Sequence, residues 1–364
     1  MKAAAALGQS IWLDQIRRDW LQDGTLAGLV KDGLRGVTSN PAIFQKAITA
    51  DNAYESELKR LVLDGAPAEE IYENLILEDI RATADVLQGV FDESDGTDGF
   101  VSLEVNPHFA HDTQKTIDEA RHYWRLVARP NLLIKVPATG EGLPAIQTLI
   151  SEGINVNVTL MFSLNQYDLV AEAYLSGLEK RLESGETLEK IASVASFFVS
   201  RVDQKIDPIL ERLDRKEALS IKGKIGIANA KMAYQRFKET FQGERWKALS
   251  AQGAQLQRVL YGSTSTKNPA YPDTLYVDGL IGPDTINTIP MKTIHAFEDH
   301  GTVSKTLDAG LDEAVRQLQQ LEKSGVHLDN ITQQLLDEGV EKFVQPFDAL
   351  IDYIVKAQTR FLMA

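Results

Sequence analysis

The chain alternates short, strand-like apolar runs with amphipathic helical stretches along most of its 364 residues. The runs are rich in β-branched and aromatic residues and are bounded by turn-forming residues, which is typical of β-strands. The predicted strands span residues 10–14, 34–41, 99–105, 131–137, 155–162, 194–200, 258–264 and 274–279. Helical patterns separate them, for example at 68–88, 142–151 and 165–183. This alternation predicts parallel βαβ units, and therefore a parallel sheet covered by helices.

Eight such units favour an α/β fold of the (β/α)8 TIM-barrel type over a doubly wound open sheet. A barrel of this type takes about 250 residues, and the chain is long enough for it. A doubly wound sheet normally carries a glycine-rich phosphate loop after its first strand, whereas "WLDQIRRDW" at that place contains no glycine. We therefore expect a single barrel domain over residues 1–364.

Residues 303–364 are predicted to form a C-terminal helical extension packed on the barrel. Apolar residues between Val340 and Val355 recur at spacings of three and four, as on the buried face of a helix. Pro346 falls inside this pattern, and we expect it to kink the helix or to begin a new one.

Composition excludes several classes of function. The chain has no cysteine, so it has no disulfide framework, no Cys-based zinc site and no thiol nucleophile. Its formal net charge of −14 argues against a nucleic-acid partner, because such binding depends on Lys and Arg contacts to phosphates. His108 and His111 lack a third ligand at metal spacing, so we expect neither a metal nor a cofactor.

The sequence also shows no signal for a membrane partner. No apolar run approaches the roughly 18 residues that a membrane span needs, and the first residues do not resemble a signal peptide. We expect a soluble, cytoplasmic protein.

The segment "NLLIKVPATGEG", residues 131–142, places Lys135 at the end of a predicted buried strand. One interpretation is a strand-end lysine whose ammonium group reaches water. The other is a lysine in an apolar pocket, whose neutral amine attacks a carbonyl group.

Further polar residues fall at the ends of the predicted strands, where the active site of such a barrel lies. They are Asp14, Asn40, Glu104, Ser196, Ser200, Arg201, the "GSTSTKN" segment, and Asn155, Asn157 and Thr159 on one face of the fifth strand. Each has a structural alternative: Asp14 as a helix N-cap, Asn40 as a turn residue, Glu104 as an ion-pair partner, and "GSTSTKN" as a solvated loop. A buried Asn-Asn-Thr face, however, needs a ligand to satisfy it.

Four segments resemble transaldolases, in particular the longer bacterial form: "VTSNPAIF", "LIKVPATGEGLPAI", "GINVNVTLMFS" and "STSTKNPAYPDTLYV". The resemblance covers essentially the whole chain. It implies a TIM barrel and a metal-independent aldol mechanism through a lysine Schiff base. It further implies transfer of a dihydroxyacetone unit between sugar phosphates of the pentose phosphate pathway. The donors are fructose 6-phosphate or sedoheptulose 7-phosphate, and the acceptors are erythrose 4-phosphate or glyceraldehyde 3-phosphate.

The resemblance also implies roles for individual residues. Lys135 is similar to the Schiff-base lysine, Asp14 to the acid/base at the sugar C4 hydroxyl, and Glu104 and Thr159 to the pair that handles the catalytic water. The implied substrate-binding residues are Thr38, Asn40, Asn157, Ser196 and Phe198, with Arg201, Ser265 and Lys267 for the phosphate.

Four positions bear on how far the resemblance extends. Shorter family members carry an arginine where Lys267 stands. In this chain a compact ammonium group therefore replaces a guanidinium group that can bind phosphate through two parallel hydrogen bonds. Phe197 stands where a proline is expected, which leaves the alignment of that strand open by one residue. Related aldolases that release free dihydroxyacetone tend to carry Tyr in place of Phe198 and Gln in place of Glu104, so this chain resembles the transferases.

Two other functions remain open at this point: a fructose-6-phosphate aldolase-like lyase and a non-catalytic sugar-phosphate binding protein. We expect a monomer or homodimer. Some relatives are fused to a glucose-6-phosphate isomerase, and the sequence leaves open a relation to such a fusion.

Overall fold

Eight parallel strands pair in chain order and close into a barrel in the computed structural model, which describes residues 1–50 and 52–363. The strands are β1 (Gln9–Leu13), β2 (Gly36–Thr38), β3 (Phe100–Glu104), β4 (Leu132–Pro137), β5 (Val156–Met161), β6 (Ser193–Phe198), β7 (Arg258–Gly262) and β8 (Thr285–Ile289). β1 pairs with both β2 and β8, which closes the ring. The predicted (β/α)8 barrel is confirmed.

The position predicted for the eighth strand is wrong. Residues 274–279 contain a short helix, Leu275–Asp278, and the last strand follows at Thr285–Ile289. A run as short as "LYV" has no periodicity that separates a strand from a buried helical turn. In the fold, Thr274 donates a hydrogen bond from its hydroxyl to Asp278 at 2.8 Å, which spans that turn.

Helices fill the connections between strands and surround the barrel. They are α1 (Lys2–Ala5), α2 (Arg18–Gln22), α3 (Thr25–Lys31), α4 (Pro41–Ala50), α5 (Glu55–Leu63), α6 (Ala68–Glu93), α7 (Thr113–Val127), α8 (Gly142–Ser151), α9 (Leu164–Glu183), α10 (Ser200–Leu213), α11 (Lys216–Leu219), α12 (Ile225–Thr240), α13 (Glu244–Ser250), α14 (Leu275–Asp278), α15 (Met291–His300), α16 (Leu311–Lys323) and α17 (Leu328–Leu362). Short 3-10 turns occur at Asn52–Tyr54 and Pro107–Phe109.

Local sequence signals explain where several helices begin. Ser163 and Gln166 form a capping box at the start of α9, in which each side chain bonds the backbone N–H of the other residue. Asp112 accepts a hydrogen bond from the backbone N–H of Lys115 at 3.0 Å and so caps α7.

The barrel interior divides into an apolar lower layer and a polar upper layer. The lower layer includes Trp12, Phe100, Leu133, Val194, Leu260 and Ile286. Side chains two or four positions further along the same strands point inward by the strand period, and these are Asp14, Glu104, Lys135, Ser196 and Thr288. The apolar layer therefore supports a polar layer at the carboxyl ends of the strands.

The long helix α17 crosses the mouth of the barrel, by which we mean the carboxyl ends of the strands. It contacts β5 and α10 on one side, and α4, α5 and α6 on the other. Because α10 follows β6 and α4 follows β2, these contacts lie on opposite sides of the ring. No helix among the described residues is long and apolar enough to cross a membrane.

Pro346 lies inside α17, and no new helix begins there. Phe343, three residues before the proline, and Phe347, directly after it, are both buried. Packing on both sides of the proline therefore holds the helix together where one backbone hydrogen bond is lost.

Candidate active site

Lys135 is enclosed near the carboxyl end of β4 and is only 4% exposed. Its Nζ donates a hydrogen bond to the carbonyl oxygen of Ser39 at 3.1 Å and lies 3.4 Å from Oε2 of Glu104. The ring centroid of Phe343, from α17, is 5.5 Å from Nζ. The interpretation in which this ammonium group extends from a strand end into water is therefore wrong.

Glu104 lies beside Lys135 on the neighbouring strand and is also buried. Burial raises the pKa of its carboxyl group to about 7, although the nearby Lys135 partly offsets that rise. Neither carboxylate oxygen makes a hydrogen bond within the described residues. The ion-pair interpretation is confirmed, and the same carboxyl group can exchange a proton near neutral pH.

Asp14 follows β1 on the wall of the cavity above Lys135. Burial raises the pKa of its carboxyl group, while Lys135 and a hydrogen bond from Thr38 oppose that rise. Thr38 donates from Oγ1 to Oδ1 of Asp14 at 2.7 Å, and the same hydroxyl lies 2.7 Å from that of Thr288. The N-cap interpretation of Asp14 is wrong, because the next helix starts at Arg18 and its N-cap position is Arg17.

The predicted polar face of β5 is divided between two ends of the barrel. Asn157 donates from Nδ2 to Ser102 at 2.9 Å and accepts from the hydroxyl of Ser196 at 2.6 Å. Thr159 is buried, and its hydroxyl has no hydrogen-bond partner within the described residues. Asn155 bonds three backbone groups, the carbonyls of Pro130 and Leu132 and the N–H of Ala192. Its amide is thus satisfied without a ligand, contrary to the prediction.

Strand β6 is placed with Ser196 and Phe198 on the cavity wall and Phe197 in the outer core. Arg201 follows in the first turn of α10, with its guanidinium carbon 5.1 Å from the ring centroid of Phe198. The Nη1 atom of Arg201 is buried and makes no hydrogen bond within the described residues. Burial lowers the pKa of this guanidinium, while Asp14 and Glu104 oppose the change.

The loop after β7 brings Ser265 and Lys267 to the same cavity. The loop is anchored rather than freely solvated, because Thr264 donates to Oδ1 of Asn287 at 2.6 Å. Tyr271 donates from its hydroxyl to Asp207 at 2.7 Å. Lys267 itself is exposed, so its charge faces the cavity opening.

Asn40 serves both as a turn residue and as part of the cavity. Its side-chain oxygen accepts a hydrogen bond from the backbone N–H of Ile43 at 3.0 Å, at the start of α4. It also lines the cavity beside Thr38.

The cavity has a volume of about 350 Å³ and unites most of the predicted residues. Those on its wall are Asp14, Thr38, Asn40, Lys135, Ser196, Phe198, Arg201, Ser265 and Lys267. Glu104, Asn157 and Thr159 do not line it; Glu104 adjoins Lys135, and Asn157 adjoins Ser196.

Sequence analysis misses several residues of the cavity wall: Lys46, Gln204, Thr288 and Phe343. Thr288 is hidden because the sequence pattern predicts the last strand too early in the chain. Lys46 lies in the second turn of α4, six residues after Asn40. Phe343 belongs to an apolar stripe that predicts burial but not the surface that it covers.

Comparison with known proteins agrees with the motifs. A family model described as transaldolase/fructose-6-phosphate aldolase matches residues 11–354. A transaldolase of Thiobacillus denitrificans is 49% identical over 354 residues, which cover 97% of this chain and 99% of that protein. A transaldolase of Trichodesmium erythraeum is 46% identical over 357 residues, which cover 95% of this chain and 94% of that protein. A transaldolase of Mycolicibacterium smegmatis is 47% identical over 354 residues, which cover 97% of this chain and 95% of that protein. The chain therefore belongs to the transaldolase/fructose-6-phosphate aldolase family.

Proposed function

We propose that this protein is a transaldolase that moves a dihydroxyacetone unit from a ketose phosphate to an aldose phosphate through a Schiff base on Lys135. The donors are fructose 6-phosphate or sedoheptulose 7-phosphate, and the acceptors are erythrose 4-phosphate or glyceraldehyde 3-phosphate. The observation that carries the proposal is the buried amine of Lys135, 3.4 Å from a carboxyl group of raised pKa.

The first step is formation of the Schiff base. The Lys135 amine must be neutral to attack the ketone at C2, and Glu104 is close enough to take its proton. Loss of water from the resulting carbinolamine requires a proton donor at the departing hydroxyl. Glu104, then protonated, and the hydroxyl of Thr159 supply that proton in the proposed mechanism.

The second step breaks the C3–C4 bond. The iminium nitrogen draws the bonding electrons towards C2, and Asp14 takes the proton from the C4 hydroxyl as the aldose leaves. Burial favours this role because it raises the pKa of Asp14 and makes the carboxylate a stronger base. The hydrogen bond from Thr38 fixes the orientation of the carboxylate. The three-carbon enamine then waits for the second aldose, and the steps run in reverse.

The remaining residues hold the substrate. Asn40 and Ser196 bind the hydroxyl groups of the three-carbon unit, Asn157 supports this binding by orienting the Ser196 hydroxyl, and Phe198 packs beside the unit. Arg201, Ser265 and Lys267 bind the phosphate. The buried Nη1 atom of Arg201, which has no hydrogen-bond partner among residues 1–50 and 52–363, supports this assignment.

Two alternatives are less well supported. A lyase that releases dihydroxyacetone is disfavoured by Phe198 and Glu104, which resemble the transferases. A non-catalytic binding protein has no use for a buried lysine with two carboxyl groups of raised pKa around it. We further propose that residues 1–364 form one domain, with residues 303–364 as its helical extension. The protein acts in the cytoplasm, as a monomer or homodimer, in the pentose phosphate pathway.

Borohydride trapping tests the proposal. The protein is incubated with fructose 6-phosphate and reduced, and the adduct is located by peptide mass. We expect a three-carbon adduct on Lys135, and none on that peptide in Lys135→Met. Absence of the adduct from folded wild-type protein with bound substrate would overturn the Schiff-base mechanism.

A further inference from the structure

Phe343 connects the C-terminal helix to the reacting lysine. Its ring lines the cavity and lies 5.5 Å from Nζ of Lys135, although the two residues are far apart in the chain. Phe343 is 4% exposed and packs in an apolar cluster with Leu160, Phe162 and Phe198. An aromatic wall thus borders the amine on the side of α17.

The rest of the cavity wall comes from other parts of the barrel mouth. It is formed by the ends of β1, β2, β4, β6, β7 and β8, the loops after them and the starts of α4 and α10, with no residue from β3 or β5. The helix contacts β5 directly. The cavity therefore lies on the side of the mouth formed by β6, β7, β8, β1 and β2, while α17 contacts the barrel at β5.

Gly339 sets how closely α17 approaches the barrel. It lies one helical turn before Phe343 and thus on the same face. A Cβ atom at this position would lie 2.9 Å from Cδ2 of Leu160. Leu160 stands where β5 becomes irregular, with a φ of 58°, and this conformation directs its side chain to the helix. The absence of a side chain at Gly339 lets α17 descend far enough for Phe343 to reach Lys135.

We infer that Phe343 excludes water from the Lys135-bound enamine and is a specificity-determining residue for transfer over hydrolysis. This inference rests on the Schiff-base mechanism proposed above. In the competing reaction, the enamine gains a proton at C3 and becomes an iminium ion. Water then adds at C2, and the carbon–nitrogen bond breaks with its electrons returning to nitrogen. Enamine and one water thereby give free dihydroxyacetone and the neutral lysine.

The aromatic ring suits this position for two reasons. It fills the space beside the enamine with apolar atoms, which disfavours a water molecule without polar partners. Its face also interacts favourably with a cation within about 6 Å, and Nζ becomes part of a cationic iminium during each transfer. The ring thus stabilises the iminium ion that forms during transfer, and it keeps water away from the three-carbon enamine while no acceptor is bound.

The test measures a partition ratio: the rate of free dihydroxyacetone release without acceptor, divided by the rate of transfer with acceptor. Phe343→Ala should raise this ratio about tenfold or more, which corresponds to ~1.4 kcal/mol in relative barrier height. Phe343→Leu, which keeps most of the apolar volume, should raise it less. Gly339→Ala should also raise it, because it displaces α17 and changes no group next to the amine.

Phe347→Leu is the matched control. Phe347 lies one turn further along α17 and is similarly buried, but it packs on Tyr72 and His108 outside the cavity. A general loosening of the helix would move the ratio in this variant too, and that result would overturn the inference. An unchanged ratio in folded Phe343→Leu and Gly339→Ala would also overturn it. Borohydride trapping of each variant separates the two proposals, because a missing adduct on wild-type Lys135 would defeat the underlying mechanism instead.

Discussion

Glu104 is a single carboxyl group on which burial and a neighbouring cation act in opposite directions. Burial has the larger effect, so the pKa is raised to about 7 despite the Lys135 amine 3.4 Å away. A group with this pKa is half ionised near neutral pH and can both accept and donate a proton during one turnover.

The raised pKa predicts the pH dependence of the reaction. Below about pH 7 the carboxyl group of Glu104 is protonated and cannot accept the proton of Lys135. The rate should therefore rise with pH through that region. Glu104→Gln should abolish this rise of the rate with pH and lower kcat by about 10²–10⁴-fold. Kinetics over a pH series with fructose 6-phosphate and erythrose 4-phosphate would measure both effects.

Glu119→Gln is a suitable control for that series. Burial also raises the pKa of Glu119 to about 7, but its carboxylate accepts a hydrogen bond from the backbone N–H of Asn106 and does not line the cavity. This variant should retain the rise of the rate with pH. If the rise with pH persists in Glu104→Gln, or disappears in Glu119→Gln, Glu104 is not the group that causes it.

At the scale of the structural element, two aromatic hydroxyls anchor the loop between β7 and α14. Tyr271 donates to Asp207 at 2.7 Å, and Tyr276, in α14, donates to Asp203 at 2.9 Å. Both acceptors belong to α10, the helix that also carries Arg201. The proposed phosphate-binding residues of the loop and of α10 are thereby held in one fixed arrangement.

Removing one anchor should weaken phosphate binding without changing the chemical step. Tyr271→Phe deletes the bond to Asp207, a loss of about 1 kcal/mol. We expect a roughly fivefold higher KM for fructose 6-phosphate, an unchanged kcat and no effect on non-phosphorylated fructose. In Tyr174→Phe, the lost bond is to the carbonyl of Gln255, 2.6 Å away and outside the cavity. An equal rise in KM in this variant would show that the effect is general destabilisation.

At the scale of the whole molecule, the barrel depends on the packing of its apolar lower layer. Gly36 on β2 lies against the indole of Trp12, and a Cβ atom there would be only 2.4 Å from the ring. The indole cannot easily move away from Gly36, because its Nε1 donates a hydrogen bond to Asp98 at 2.8 Å.

Gly36→Ala should therefore destabilise the protein by about 1–3 kcal/mol through overpacking. Gly89→Ala is the matched control, because Gly89 is exposed on α6 and an added methyl group would meet no neighbouring atom within 4 Å. Alanine there should stabilise the helix by up to about 1 kcal/mol. Thermal or urea unfolding of both variants would measure the difference, and equal midpoints would refute the packing argument.

The barrel is predictable from sequence because each βαβ unit leaves its own local pattern. The position of the closing strand is not, because β8 is half polar along its length. Its outward positions carry Thr285 and Asn287, which pair with Gln9 and Thr264, and these partners are visible only once the ring has closed. The polar strand ends predict most of the cavity wall. Phe343 is beyond such reasoning, since an apolar stripe shows that a helix face is buried but not what lies beneath it.

The path of α17 also has a consequence for biosynthesis. Lys135, Asp14 and Glu104 are all translated well before Phe343, and every strand of the barrel precedes α17 in the chain. A nascent chain emerging from the ribosome can therefore assemble the ring, with Lys135 inside it, while the mouth is still uncovered. The cavity wall beside Lys135 is therefore complete only after α17 has been synthesised and has packed across the mouth.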